Sequence, residues 1–393
     1  MLLNTFAPPF RLVGGYFIVG ILFLILSLFA FLKADFSAVT SFQTAGFLHI
    51  YFVGFVMSII IGALYQLTSV ILEKSFSTIR GAFTNLFVYA LGILLMSAGM
   101  IFDKVGLLHA GGSLLFLSLL LFAVTYFASF VKNEKKSFAA FALLISSVFL
   151  IVGISLGFCL LMIFSGAFSM DFELTLHYHI YFVLGFVFFI VVGVASVLLP
   201  MFALAHDLKF TLSKASLAFY LLGGVLLYFG LNFALAAFLV AILCFVVEAF
   251  LILKKRVRKA YDYWNLNIFL SLASFVAFCV FSGLGLNDVA VFFLMFGFLY
   301  AFITAHLYKI VPFLIWYHYV APFVGKTKVP LLDDMIVKRP TYIALSLNAL
   351  ALAAYAFGFA YGALALLFTS VLLVAFNMVH VFKFINFGVK NEG

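Results

Sequence analysis

The sequence predicts an all-α membrane protein of twelve transmembrane helices, in three pseudo-repeated four-helix units with both termini cytoplasmic. Three observations carry that expectation. The chain is 67% apolar and only 9% charged, at a mean hydropathy of +1.31, which no soluble domain of 393 residues requires. Its apolar residues fall into twelve runs, each near or above the roughly 20 residues that cross a bilayer as a helix. Its basic residues gather on one side of those runs.

Run 1, residues 12–33, lies behind Arg11 with no small-residue cleavage site after it, so it reads as a retained helix rather than a signal peptide. Run 2, residues 43–72, is long and carries His49. Runs 3 (82–102) and 4 (106–131) follow, with His109 near the start of run 4. Run 5 covers 138–166. Run 6, residues 175–205, is the second long one and carries His177-Tyr178-His179. Runs 7 (214–231) and 8 (233–253) come next, and run 8 holds Glu248, the acid inside a span. Run 9 covers 264–284, and run 10, residues 288–317, is the third long one. Runs 11 (340–360) and 12 (362–386) complete the set. The connections are short. The longest, from about Tyr319 to Arg339, carries Asp333-Asp334, so residues 1–393 read as a single membrane domain.

Charge tests this layout independently. Of the 22 Lys and Arg residues, Lys33 and Lys104 alone fall on the side opposite the N terminus, and Lys309 lies within a span. A miscount by one run would scramble that asymmetry, which places the basic loops and both termini in the cytoplasm. The same placement gives the net charge of +9 a topological role, and nucleic acid is not expected as a partner. Cys159, Cys244 and Cys279 all sit in apolar runs without a CxxC pair, so neither a disulfide framework nor a thiolate metal site is implied.

The three long runs share a pattern. Run 2 has Gly54-Phe55 and then Gly62, run 6 has Gly185-Phe186 and then Gly193, and run 10 has Gly297-Phe298 and then Ala305. In each, a small residue follows the glycine by eight positions. Repeat units of about 11–131, 138–259 and 263–388 account for this, and spans equivalent by repeat tend to lie around a shared centre. The glycines allow either helices or a flat cofactor to approach the backbone closely.

Intramembrane ionisable groups mark function by default. His49, His109, His177 and His179 form a layer a few residues inside the outer ends of runs 2, 4 and 6. His206, His306, His318 and His380 disperse towards the other side, beside Lys209, Lys309 and Lys383. Neutral imidazole is a good ligand for haem iron or copper, and the many aromatic residues suit a flat macrocycle. His177 and His179, two residues apart on a helix, point about 200° away from one another and so do not readily bind the same metal. His49 opens HIYFVGF and His179 opens HIYFVLGF, so the two occupy the same motif position. If runs 2 and 6 face each other, these two could bind one iron from opposite sides. Hydrogen bonding between helices, or snorkelling to headgroups, is the alternative for the same residues.

Those motifs resemble the catalytic subunit I of the haem-copper oxidase superfamily. That subunit also has twelve helices in three pseudo-equivalent groups of four, and an HxH motif followed by Gly-aromatic, a small residue and a Leu-Pro ending. His177-Tyr178-His179, Gly185-Phe186, Gly193 and Leu199-Pro200 match that pattern, and His49, Gly54-Phe55, Gly62 and Tyr65 match its single-histidine form. The HxH stretch and the length are also similar to the NnrS family, haem- and copper-containing relatives linked to nitric oxide stress. The resemblance implies one or two b-type haems: His49 and His179 as axial ligands, His177 as ligand of a second haem or another metal, and Gly54 and Gly185 beside the cofactor. Copper is a further candidate, with His109 added to the metal-ligand set. The resemblance departs in three places. HxH falls on run 6 rather than run 10, where Phe292 takes the equivalent place; run 7 has no His-His pair; and no buried acid suits a proton channel. A divergent non-oxidase member is therefore expected, an oxidoreductase candidate without proton pumping.

Run 10 adds His306, Lys309, Pro312 and His318. Pro312 is expected to break the backbone ladder and kink the helix, opening a cytoplasmic cavity in which Glu248 also figures. An interfacial aromatic belt with a snorkelling Lys309 is the equal alternative. The leading expectation is a haem protein of a bacterial inner membrane that moves electrons or handles a gas such as nitric oxide. Its expected partners are the bilayer and a quinol, a cytochrome or another respiratory subunit. A copper or haem transporter and an assembly partner of a respiratory complex are the alternatives.

Overall fold

The computed structural model describes residues 6–36 and 40–388; Lys390, counted above with the basic residues, lies outside them. Twelve long helices make up the described chain, each ending within a few residues of the boundary the apolar pattern sets. They are α1 (Phe10–Phe31), α2 (Phe42–Leu72), α3 (Ala82–Ile101), α4 (Val105–Ala128), α5 (Phe138–Phe164) and α6 (Phe172–Ala203). The rest are α7 (Thr211–Tyr228), α8 (Ala234–Lys254), α9 (Tyr263–Gly283), α10 (Asn287–Phe323), α11 (Lys338–Ala356) and α12 (Ala360–Phe382). Eleven are long and apolar enough to cross a membrane. The exception is α11, which opens on Lys338-Arg339-Pro340 and has polar residues at Thr341, Ser346 and Asn348. The protein is thus all-helical and multi-pass, and its apolar surface suits a lipid bilayer, where only structures that satisfy their own backbone hydrogen bonds survive.

Two compact units divide the chain. One comprises Ile60–Lys259 with Thr40–His49 and the start of α1; the other comprises the stretch from Ala260 onward with Ile50–Ile59 and the remainder of α1. In the first unit α3 pairs with α4, α5 with α6 and α7 with α8; in the second, α9 packs on α10 and α11 on α12. The tightest pairings run through glycine. A Cβ on Gly99 would meet the Leu108 backbone, and one on Gly111 the Met96 backbone, so α3 and α4 touch along their main chains.

The long runs are not uniform. In α2 the nine residues His49–Met57 form a π-helix, and α10 carries two such stretches, Phe293–Leu299 and Trp316–Val320. Regular α-geometry persists through Pro312 and gives way only at Trp316, so the expected break falls four residues beyond the proline. In α6 the equivalent stretch is α-helical throughout, with Leu184 as one extra residue before the Gly-Phe pair.

Candidate functional site

Both motif histidines stand two turns into a capped helix. Ser41 Oγ accepts from Thr44 N at 3.3 Å and starts α2 at Phe42; Asp171 Oδ1 accepts from Leu174 N at 2.7 Å and starts α6 at Phe172. The steps from 42 to 49 and from 172 to 179 are equal, so the two rings sit at one depth from their helix starts, about 10 Å at 1.5 Å per residue.

Both lie in the first unit, with His49 within electrostatic reach of His179. His49 Nδ1 donates to Ala45 O at 2.7 Å, and His179 Nδ1 donates to Gly153 O on α5 at 2.9 Å. A carbonyl only accepts, so each neutral ring carries its proton on Nδ1 and its lone pair on Nε2. Among the described residues neither Nε2 makes a hydrogen bond. Both residues are half-buried. A Cβ on Gly157 would lie 2.9 Å from His179 Cε1, so that glycine makes room for the ring. Nearby walls are apolar and aromatic: Phe158 stacks on Phe116 at 4.3 Å, and Ala45 and Phe158 pack against Met100, Leu108 and Leu161.

This donor set fits axial ligation of one flat tetrapyrrole. A metal-bound histidine typically donates its other N–H to a carbonyl or carboxylate, which fixes the tautomer and aims the free nitrogen. The larger metal set does not assemble. Among the described residues no three His, Cys, Asp or Glu side chains come together as a metal-binding group. His177 is exposed, on the far side of α6 from His179 as its two-residue offset requires, and His109 is half-buried on α4. Comparison with protein-family models and with curated proteins finds no match.

A Cβ on Gly54 would lie 2.7 Å from the Phe23 ring, and one on Gly185 would overlap Phe149. Each glycine accommodates a neighbouring phenylalanine. The glycines beside His179 are Gly153 and Gly157, a small-xxx-small pair on α5 that no repeat in the sequence marks.

The other candidates separate. Glu248 belongs to the first unit, where its Oε2 accepts from Ser213 N at 3.0 Å and caps the start of α7. In the second unit Lys309 Nζ pairs with Asp262 Oδ2 at 2.9 Å and lies 5.0 Å from the Tyr263 ring centroid, so it is held rather than snorkelling. His306 is buried, with Nδ1 donating to Phe302 O at 2.7 Å, and His318 lies in the second π-helical stretch of α10.

Proposed function

We propose that this protein is a haem-binding integral membrane protein, a divergent relative of haem-copper oxidase subunit I, that transfers electrons or handles a gas such as nitric oxide without complete oxidase activity. The observation that carries this reading is the paired His49 and His179, each with Nδ1 tied to a backbone carbonyl and Nε2 left for a ligand. A haem held by these two imidazoles would supply one-electron redox chemistry. The protein's part is to orient the rings: Ala45 O and Gly153 O fix the tautomer, and the equal offsets from Ser41 and Asp171 bring the nitrogens level. Apolar walls limit water around the centre, and second-shell hydrogen bonding and burial are the levers that tune a potential.

The resemblance supplies the rest of the reading: three pseudo-repeated four-helix units, cytoplasmic termini, a bacterial inner membrane, and a quinol or cytochrome as electron donor. The resemblance also makes His177 the ligand of a second haem or another metal, where a gas would bind, while the His49–His179 centre would pass electrons.

The test is the optical spectrum of the detergent-purified protein expressed with ample haem. A Soret band with split α and β bands on reduction is expected, lost in His49→Ala and in His179→Ala and retained in His177→Ala. A colourless wild-type protein would overturn the proposal.

A further inference from the structure

At one end of α6, α7 and α8, within the first unit, two segments far apart in sequence gather positive charge. Residues 204–214 carry Lys209 and Lys214, and residues 254–259 read Lys-Lys-Arg-Val-Arg-Lys. Tertiary bonds bring the two together. Val257 N donates to Ala203 O at 3.0 Å, Lys255 Nζ to Asp207 O at 3.2 Å, and Ser213 N to Glu248 Oε2 at 3.0 Å. Helix α6 packs on both α7 and α8. The connecting backbone is held in an unusual shape: Leu204, Asp207 and Phe210 have φ of 53°, 57° and 51°, three of the six described non-glycine residues in that region. Such conformations persist only where the surroundings fix them. Here the Phe210 ring stacks on Phe138 of α5 at 6.3 Å, and Arg256 staples its own turn, Nη1 to Leu253 O at 3.3 Å and Nη2 to Lys259 O at 3.1 Å.

Six cations stand exposed on this frame: Lys209, Lys214, Lys254, Lys255, Arg258 and Lys259. Carboxylates do not neutralise them. Among the described residues the ion pairs of lysine and arginine are Lys135–Glu73, Lys309–Asp262 and Lys338–Asp333, none of which involves the six. Lys255 and Lys259 donate to backbone carbonyls, and Glu248 is occupied as the cap of α7. One turn nearer the middle of the helices the surface turns apolar. Phe250 and Leu251, 52% and 43% exposed, stand four residues before Lys254 and Lys255 and so share their faces of α8. Met201, 51% exposed, lies at the same end of α6. Topology asks only that positive charge stay on one side of the membrane. It does not ask that two segments be bonded together, left without acids, and set above an exposed apolar flank.

We propose that this end of α6, α7 and α8 is a binding site for the phosphate headgroup of an anionic phospholipid, whose acyl chains lie along Met201, Phe250 and Leu251. Clusters of about four to eight Lys and Arg residues just outside a membrane span attract anionic headgroups. The lysines act as mobile point charges, and the Arg258 guanidinium offers a planar fork that matches phosphate oxygens. The apolar flank selects a lipid over a free anion, which would use the cations and leave Phe250 and Leu251 uncovered. None of these residues belongs to the His49–His179 centre, so the lipid site holds whether or not haem is bound.

Native mass spectrometry of the detergent-purified full chain, titrated with dioleoylphosphatidylglycerol or dioleoylphosphatidylcholine, tests it. The wild type should hold the anionic lipid with a dissociation constant several-fold lower than the zwitterionic one, and the difference should shrink as ammonium acetate is raised. Lys209→Gln with Lys214→Gln should remove most of that preference. Lys326→Gln with Lys328→Gln, an equal loss of charge on the longest loop, should keep it. Arg258→Gln with Lys259→Gln serves if the first pair fails to insert. Equal affinity for the two lipids, or the same loss in the Lys326 and Lys328 variant, would overturn the site. Displacement of the bound lipid by inorganic phosphate would assign the cluster to a free anion, and displacement by polyglutamate to an acidic protein. Either result would overturn the lipid assignment.

Discussion

Gly157 shows how little space separates a usable imidazole from a blocked one. A side chain there meets His179 Cε1 at 2.9 Å. Gly157→Val should therefore push the ring off Gly153 O, cut haem retention as read by the Soret band, and lower stability by about 1–3 kcal/mol through overpacking. Gly157→Ala should give an intermediate spectrum, and Gly193→Ala, remote from the histidines and against Ala142, should leave it unchanged. The equal offset of His49 and His179 from their helix starts was legible in the sequence because HIYFV occurs twice with histidine in one place. Their acceptors were not. Ala45 and Gly153 contribute a carbonyl oxygen, which every residue owns, so no side-chain pattern announces them. Gly54 and Gly185 carry the same ambiguity, since a glycine makes room without saying for what.

Helix caps decide more than the hydrophobic pattern reveals. That pattern starts run 6 at 175, whereas Asp171 starts α6 at Phe172 by accepting from Leu174 N, and the added turn sets His179 at the depth of His49. Asp before an apolar run is a readable start signal, but Glu173 inside the first turn breaks the run and hides it. Glu248 was visible as a lone acid in run 8, yet its partner, the Ser213 amide 35 residues away, is a tertiary fact. Glu248→Ala should cost about 1 kcal/mol by uncapping α7, measured as a lower midpoint in thermal unfolding, with the haem spectrum intact. The π-helical stretches lie beyond local pattern reading altogether. The two HIYFV copies are identical for five residues, and only α2 takes up i→i+5 bonding.

Across the whole molecule, the twelve-run layout was the part most plainly written in composition, because a bilayer demands both apolar length and internal backbone bonding. Charge at the basic end has a measurable consequence. Burial opposes ionisation of Asp333, but hydrogen bonds from Lys338 and Tyr263 outweigh it and hold the carboxyl below its ordinary 3.8. A carboxyl lowered by folding stabilises the fold above its unfolded value and loses that contribution as pH falls through its folded value. Acidification from about pH 5 to about pH 3 should therefore lower the midpoint of the wild type more than that of Asp333→Asn, and salt should shrink the difference because the pair is exposed.

The assignment of α1 and the middle of α2 to the second unit bears on how the chain is built. Phe31 rests on Phe292, Phe296 and Tyr355, Phe29 on Phe368, and Tyr51 bonds Met295. The ribosome delivers those first helices long before their partners exist. With roughly 200 residues between them, and synthesis at about 5–20 residues per second, the wait is on the order of ten seconds or more. During that interval Gly14–Phe31 waits in the membrane without these partners, so a helix made early is among the last to reach its final neighbours.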